Sequence, residues 1–477
     1  MKVVRYVGKG RGLPREYRAA VADGSRSVVV NTLSQGRNVT VDVELDGKAV
    51  EFANDGLTRD FVDLATLVYI ADEINLRKRA KDYWSRRFDV IAPVKSPKLW
   101  ARHEAALSQM LRTLSGDEYA FTWSKRPELD SLGRHREKLP DGYDSVCLFS
   151  GGMDSFLGAY QLLSEGKRIL LVGHQADTMA APAQKALATW LQGKFKDACH
   201  LVQWRVAYAR TPTQTFPLRR PAQPEDTHRV RSLLFLALAV SIANATGAKT
   251  IYIPENGLIA INPPLQKSRL GTLTTRTAHP RYLEELADFL SSMGIFSGQI
   301  KNPFLYQSKT DMVRRKKALA KPFLRSVSCS RPSRYKDKGK ERGRDVRHCG
   351  YCVPCIYRRA ALMELGLDDA QDYAFSVFND LPSLNTHMQL DFRALVRWAE
   401  KVSAVTPLEL ELMVLSHGSF PLSAGERFGP APAESYRVWA EMFLRWAKDF
   451  LEKVDTLASP SVRKAVGRAT RRRLVNA

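Results

Sequence analysis

The run Ser150-Gly151-Gly152-Met153-Asp154-Ser155 constrains this chain more than any other, because it stands between a strand pattern and a helix pattern. Val146-Cys147-Leu148-Phe149 leads into the two glycines, and Phe156-Leu157-Gly158-Ala159-Tyr160-Gln161-Leu162-Leu163 continues as helix. Adjacent glycines carry no Cβ, so main-chain N–H groups can converge on an oxyanion, and the helix adds the positive end of its dipole. A tight βα turn would explain two glycines alone. The flanking serines and aspartate add hydroxyls and a carboxylate at the same junction, which favours nucleotide phosphates. No G-x-x-x-x-G-K-[ST] occurs, so the loop is not that of kinases and GTPases. The candidate phosphate-contacting set is Ser150, Gly151, Gly152, Met153, Asp154 and Ser155, with Asp154 placed to help hold Mg²⁺.

The same order resembles the pyrophosphate loop (PP-loop) of the N-type ATP pyrophosphatases. That resemblance implies ATP as cofactor, scission between its α and β phosphates, and activation of a substrate as its adenylate.

At 477 residues, 44% of them hydrophobic, the chain can build two or three domains around a large core. The longest apolar segment, Leu233 to Ala245, is too short to span a bilayer and reads as a buried helix. Met1 to Arg15 is polar and basic rather than a secretory signal, so a cytoplasmic protein without a membrane partner is expected. The net charge of +23 favours anionic partners without choosing among nucleotide, nucleic acid and acidic protein. Two basic runs, Arg331 to Arg347 and Arg463 to Arg473, read as solvated loops or tails, since neither interleaves aromatics with its charge as single-strand binding favours.

Three regions follow. Residues 1–140 read as a separate α+β unit of unassigned role, with Ser27–Val30 and Val39–Leu45 as a hairpin or small sheet, a helix over 58–79 and an extended run from Arg87 to Ala92 ending at Pro93. From 141 to 365 strands and helices alternate, which gives an α/β fold with a doubly wound parallel sheet. The strands are 146–149, 168–172, 201–206 and 250–253; a helix over 229–245 is capped by Thr227 or Asp226 and stopped by Gly247. A ligand in such a sheet sits beyond the carboxyl ends of its strands, where Gly173-His174-Gln175 and Pro254-Glu255-Asn256-Gly257 also fall. Residues 366–477 read as a helical region ending in a basic tail.

Four of the six cysteines, Cys329, Cys349, Cys352 and Cys355, have ligand spacing, and two intervening residues let neighbouring thiolates reach one ion from a tight knuckle. An iron–sulfur cluster is the alternative, because C-x2-C-x2-C also occurs in ferredoxins. A single such run, no proline after Cys355 and a ligand from a distant loop favour Zn²⁺ in a closed, structural site. Cys147 and Cys199 read as buried thiols, and His348 as a bystander.

Together the two motifs resemble the 7-cyano-7-deazaguanine synthase (QueC) family. The likeness runs from about Val146 to Ala361 through Ser150–Ser155, Thr227-His228-Arg229-Val230-Arg231, Glu255-Asn256-Gly257, Lys309-Thr310-Asp311-Met312-Val313, Ser328-Cys329-Ser330 and Cys349 to Arg358. It implies a fold of the adenine-nucleotide α-hydrolase-like (PP-loop, HUP-like) type with a zinc knuckle. It also implies ATP-dependent activation of 7-carboxy-7-deazaguanine, amide formation with ammonia, and conversion of the amide to a nitrile, with AMP and pyrophosphate released. The family's chain is about half as long, so residues 1–140 and 366–477 are additions. The stretches Ile261–Leu265 and Thr274–Pro280 replace an Asp- and Tyr-rich segment of the family, which puts the nitrile step in question. The layouts Pro254–Pro264 and His348–Cys355 are more similar to the QueC-like proteins of bacterial anti-phage systems, QatC and its counterpart in type IV CBASS. Those relatives imply transfer of the deazaguanine acyl group to the amine of a partner protein encoded in the same operon.

An acceptor amine must be uncharged, and His174, Glu255 and His279 are the candidate bases, each with a plainer role as strand-end, turn or packing residue. Lys309 is a candidate phosphate neutraliser or a solvated helix-start residue; Arg229 and Arg231 are candidates for the anionic ligand; Arg358 follows the knuckle, with a solvated face as its alternative. A tRNA-modifying PP-loop ligase or thiolase, with basic segments gripping RNA, is the competing enzyme class, and a non-enzymatic nucleotide-binding scaffold is the third reading.

Overall fold

A computed structural model describes residues 2–5, 27–30, 37–50, 56–126, 139–175, 179–208, 229–263, 277–330, 346–416 and 435–468, with a few isolated positions between them. Asp226, His228, and much of both basic runs lie outside the described residues.

The strands are β1 (Lys2–Arg5), β2 (Ser27–Val30), β3 (Val39–Leu45), β4 (Lys48–Ala49), β5 (Arg87–Val94), β6 (Glu118–Lys125), β7 (Ser145–Leu148), β8 (Ile169–His174), β9 (Cys199–Tyr208), β10 (Thr250–Tyr252) and β11 (Gln299–Lys301). They form a four-stranded sheet ordered β2-β1-β5-β6 and a seven-stranded sheet ordered β11-β10-β7-β8-β9-β3-β4. Every pairing in the smaller sheet is parallel. In the larger sheet β11 through β9 are parallel, and β3 joins β9 antiparallel.

The four strands expected between 146 and 253 are all present, and their apolar runs suit strands covered on both faces. Cys147, Ile169, Leu171 and Leu201 face one core with Phe156, Leu187 and Leu191 from the helices Met153–Ser164 and Ala180–Phe195. Val146, Leu170, Val172 and Val202 face the other core with Leu233, Leu236 and Val240 of the helix Arg231–Thr246. Odd and even positions part in this way because side chains alternate across a strand, and the sheet is doubly wound as expected. The helix 231–246 stops at Gly247 in the left-handed conformation, but Val230 rather than Thr227 precedes it. Thr227 is occupied instead: its hydroxyl donates to Glu225 (2.8 Å).

The first 140 residues do not form a wholly separate unit. The expected hairpin of 27–30 with 39–45 is absent: β2 pairs with β1, whereas β3 lies along β9 from Val39↔Tyr208 to Leu45↔Val202. The hairpin that forms is β3–β4, turning at Asp46-Gly47 with φ of 47° and 88°, the chemistry a tight two-residue turn requires. Pro93 lies inside β5 instead of ending it, at a position paired only with β6, beyond the reach of β1. The helix Gly56–Ile74 packs on both β5 and the helix 231–246, so it is sandwiched between the sheets.

In the last third, the helices Thr386–Ala404 and Ser435–Leu457 pack together through rings such as Trp398 on Trp446 (4.9 Å) and Phe392 on Phe450 (6.0 Å). The helix 435–457 also reaches the segment after β11, where the Trp439 indole N–H donates to the Leu305 carbonyl (3.2 Å). Among the described residues no helix is long and apolar enough to cross a membrane.

Candidate functional site

The phosphate loop follows β7 at the carboxyl end of the sheet. Gly151 has φ +79°, and a Cβ there would lie 3.0 Å from the Gln184 nitrogen and 3.1 Å from the Ala180 carbonyl, so the glycine is needed both for conformation and for approach to the next helix. Gly152 precedes the helix 153–164 without a side-chain cap, which leaves that helix's first N–H groups directed at the loop. The Ser150 and Ser155 hydroxyls lie 3.2 Å apart; Ser150 Oγ accepts from the Gly152 N–H (3.2 Å), and Ser155 Oγ donates to the Gly152 carbonyl (3.1 Å). The Met153 side chain is buried in the core, so only its backbone is available to a ligand.

Gln184, which no motif marks, ties the loop to its neighbours. Its side-chain amide donates toward the Ser150 (3.4 Å) and His174 (3.2 Å) carbonyls, while its oxygen accepts from the Gln203 amide (2.8 Å). Gly173 makes room for it, since a Cβ there would sit 2.5 Å from Gln184 Oε1.

Asp154, in the first turn after the loop, is the centre of a polar cluster. Lys309 ion-pairs with Oδ1, and the Asn256 side-chain amide donates to Oδ2 (2.7 Å). Lys309 is buried rather than solvated, and Asp311 does not pair with it: Ser308 and Asp311 form a reciprocal capping box that fixes the turn from which Lys309 projects. Glu255 is held by Asn302, whose amide donates to its carbonyl (2.8 Å) and whose oxygen accepts its N–H (3.2 Å). Burial, and then the Asp154 charge, push the Glu255 carboxyl up to about 7, against the opposing pull of Lys309 and Arg231. Asn256 also caps the short helix Gly257–Ile261 by accepting from the Ile259 N–H (3.2 Å).

His174 ends β8 on the face of the helix 231–246. It is buried between the rings of Phe235 (5.3 Å) and Tyr69 (5.9 Å), and burial, helped by Arg231, depresses its imidazole to about 3. It is therefore neutral at physiological pH. Arg231 acts electrostatically on both His174 and Glu255 and faces the cluster. Arg229 faces the opposite way: its guanidinium lies 4.3 Å from the Trp84 ring centroid and donates to the Ser115 carbonyl (2.8 Å), so the structure removes it from the nucleotide-facing set. Arg229 lies in the turn before the helix, where packing against Trp84 and Ser115 claims it. His279 is buried at the start of the helix Pro280–Ser292, its carbonyl accepting the Leu283 N–H (3.0 Å).

The four cysteine sulfurs all lie within 4.8 Å of one another. Cys349 and Cys355 are 3.9 Å apart, close to the edge of roughly 3.8 Å that a tetrahedron with Zn–S of about 2.3 Å demands. Main-chain N–H groups already address two sulfurs, Cys349 N–H to Cys329 (3.3 Å) and Cys352 N–H to Cys349 (3.4 Å), an arrangement that suits thiolates. Gly350, at φ +86°, is obligatory in this knuckle, because a Cβ would fall 1.8 Å from the Phe375 carbonyl oxygen. The donor set fits a closed four-thiolate zinc site. His348 is more than a bystander: its Nε2 accepts from the Ser328 N–H (3.2 Å), which positions the segment carrying Cys329. Arg358 is buried, not solvated, and donates to Ser326 Oγ (2.7 Å) and the Phe323 carbonyl (2.8 Å) on that same segment. Two residues before Cys329, the Val327 N–H donates to the Gly151 carbonyl (2.9 Å), joining knuckle to phosphate loop.

No protein-family model matches the chain, and no solved structure matches it. Among curated proteins it is similar to 7-cyano-7-deazaguanine synthase of Methanoculleus marisnigri, 27% identical over 254 residues, covering 48% of this chain and 98% of the relative. The enzymes of that name from Synechococcus elongatus and Novosphingobium aromaticivorans are each 26% identical, over 50% and 49% of this chain and 98% and 96% of their own lengths. With the phosphate loop and the cysteine cluster in place, these matches support a likeness to the 7-cyano-7-deazaguanine synthase (QueC) family over about half of this chain.

Proposed function

We propose that the protein uses ATP to adenylate a carboxylated 7-deazaguanine and then transfers the acyl group to an amine on a partner protein, in bacterial anti-phage defence. The observation that carries this reading is the convergence of Asp154, Lys309, Asn256 and Glu255 beside the Ser150–Ser155 loop. ATP phosphates lie over the loop and the amino end of the helix 153–164, where converging N–H groups accept negative charge. Asp154 would hold Mg²⁺, which would supply further neutralisation of the departing pyrophosphate. A substrate carboxylate oxygen attacks the α-phosphorus; the new O–P bond forms as the bond to the β-phosphate oxygen breaks, and pyrophosphate leaves. Lys309 passes from Asp154 toward the phosphates, and Arg231 draws in the carboxylate. The amine then attacks the acyl carbon, AMP departs with the electron pair, and Glu255 takes the amine proton, for which a carboxyl near 7 is well matched. The zinc knuckle holds the segment 326–329 against the loop and does no chemistry.

Nitrile synthesis with ammonia is the second reading, favoured by the name the relatives carry. Incubation with ATP, Mg²⁺ and 7-carboxy-7-deazaguanine, with and without the products of neighbouring genes, separates the two. AMP and pyrophosphate appear in both cases; a mass increase on a partner protein marks transfer, and a free nitrile marks synthesis. Pyrophosphate release that ignores the deazapurine, or that tRNA stimulates instead, would overturn the proposal.

A further inference from the structure

The loop from Lys78 to Ser85 lies apart from the cluster around Asp154 and is built unlike an ordinary connection. Buried charge fixes both its ends: Arg77 pairs with Asp117 through two bonds (2.8 and 2.6 Å) and donates to the Trp84 carbonyl (2.7 Å), while Arg86 pairs with Asp117 (2.7 Å) and Asp72. At the tip, Asp82 Oδ1 accepts from the Trp84 (2.9 Å) and Ser85 (2.8 Å) N–H groups, so its charge is committed to the turn. This holds Tyr83 at φ +55° with 74% of its surface exposed. A non-glycine residue in that region costs roughly 1–2 kcal/mol, and an exposed aromatic recovers nothing by burial. Lys78, Arg79 and Lys81 are exposed around it. Trp84, behind the tip, covers Arg229.

We infer that this loop binds single-stranded nucleic acid, with Tyr83 stacking on one base and Lys78, Arg79 and Lys81 meeting the phosphates. A rigidly presented aromatic among exposed cations is what base stacking combined with backbone attraction uses. An acidic peptide would be drawn by the cations but would gain nothing specific from the exposed ring. The net charge of +23 supplies the long-range attraction.

Fluorescence anisotropy with labelled 12-mers of RNA and DNA, single-stranded and duplex, and with heparin and poly-glutamate as competitors, tests this on the full chain. Tyr83→Ala should weaken single-strand binding at least about fivefold, as loss of one stacked base does, and leave heparin competition unchanged. The triple variant K78A/R79A/K81A should flatten the plot of log affinity against log salt by about 2, at roughly 0.7 per phosphate contact. Both variants should unfold at the wild-type temperature, since all four side chains are exposed. Preference for RNA or DNA names the strand. Single-strand binding that neither variant changes, or heparin and poly-glutamate binding as strong as the oligonucleotides and indifferent to Tyr83, would overturn the inference.

Discussion

Glu255 shows how a buried carboxyl beside a second one can be raised toward neutral pH. Lys309 and Asn256 address the two oxygens of Asp154, and burial beside that group raises the Glu255 carboxyl. Its proton is held up to about 7 in the folded chain, against an ordinary value of 4.5 when unfolded. The raised group therefore contributes stability that is fully present below pH 4.5 and is lost as pH rises through about 7, by up to about 3 kcal/mol. Glu255→Gln should abolish this part of the pH dependence in ligand-free unfolding titrations. The same substitution should remove an ascending limb near pH 7 from the rate of acyl transfer while leaving substrate-dependent pyrophosphate release largely intact. Loss of both in equal measure would place Glu255 in adenylation instead. Residues of this kind differ in how they show in sequence. Asp154 and the cysteines stand at spacings their chemistry dictates, whereas Gln184 acts through contacts with carbonyls 34 and 10 residues away and leaves no local pattern. Arg229 and Arg231 look alike in a row of letters, and only the packing of Trp84 separates them.

At the scale of elements, the cysteine knuckle and the phosphate loop behave as one piece, joined through Val327 and Gly151 and buttressed by Arg358 and His348. Cys352→Ser removes a ligand from a closed site, so metal content measured by plasma emission and the unfolding midpoint should fall together. Activity lost in a fully folded, zinc-loaded variant would show that the metal does more than hold the fold. Gly350→Ala should reproduce much of the defect with all four ligands present, because a left-handed φ and a 1.8 Å approach to Phe375 together cost about 2–5 kcal/mol. Both halves of this piece were legible in the letters, and so were the strands β7 to β10, from their apolar runs. β3 was legible as a strand but not as a member of the larger sheet: alternation reports that one face is buried and says nothing of which edge receives it. β11, three residues long, carries too little pattern to be read at all.

At the scale of the molecule, the residues before 140 cannot be a detachable module, although the relatives fold without a counterpart to half of this chain. β3 covers the outer edge of β9 over seven paired residues, and the helix 56–74 lays Phe61, Leu64, Leu67 and Val68 into the shared core beside the helix 231–246. Deleting them would open a long strand edge and uncover apolar side chains worth roughly 1.5–3 kcal/mol each. Arg229 would lose both Trp84 and the Ser115 carbonyl and be left as a bare cation at the start of a buried helix. A chain trimmed to residues 141–477 should therefore aggregate, or else bind a hydrophobic dye and show no sharp near-ultraviolet circular dichroism. Restoring the segment 37–126 as a separate polypeptide should recover solubility only when the two are co-expressed, because the β3–β9 edge and the helix face must form together. A trimmed chain that unfolded cooperatively at the full-length midpoint would show that the larger sheet closes its own edge, and that the first 140 residues add binding surface without adding to the fold.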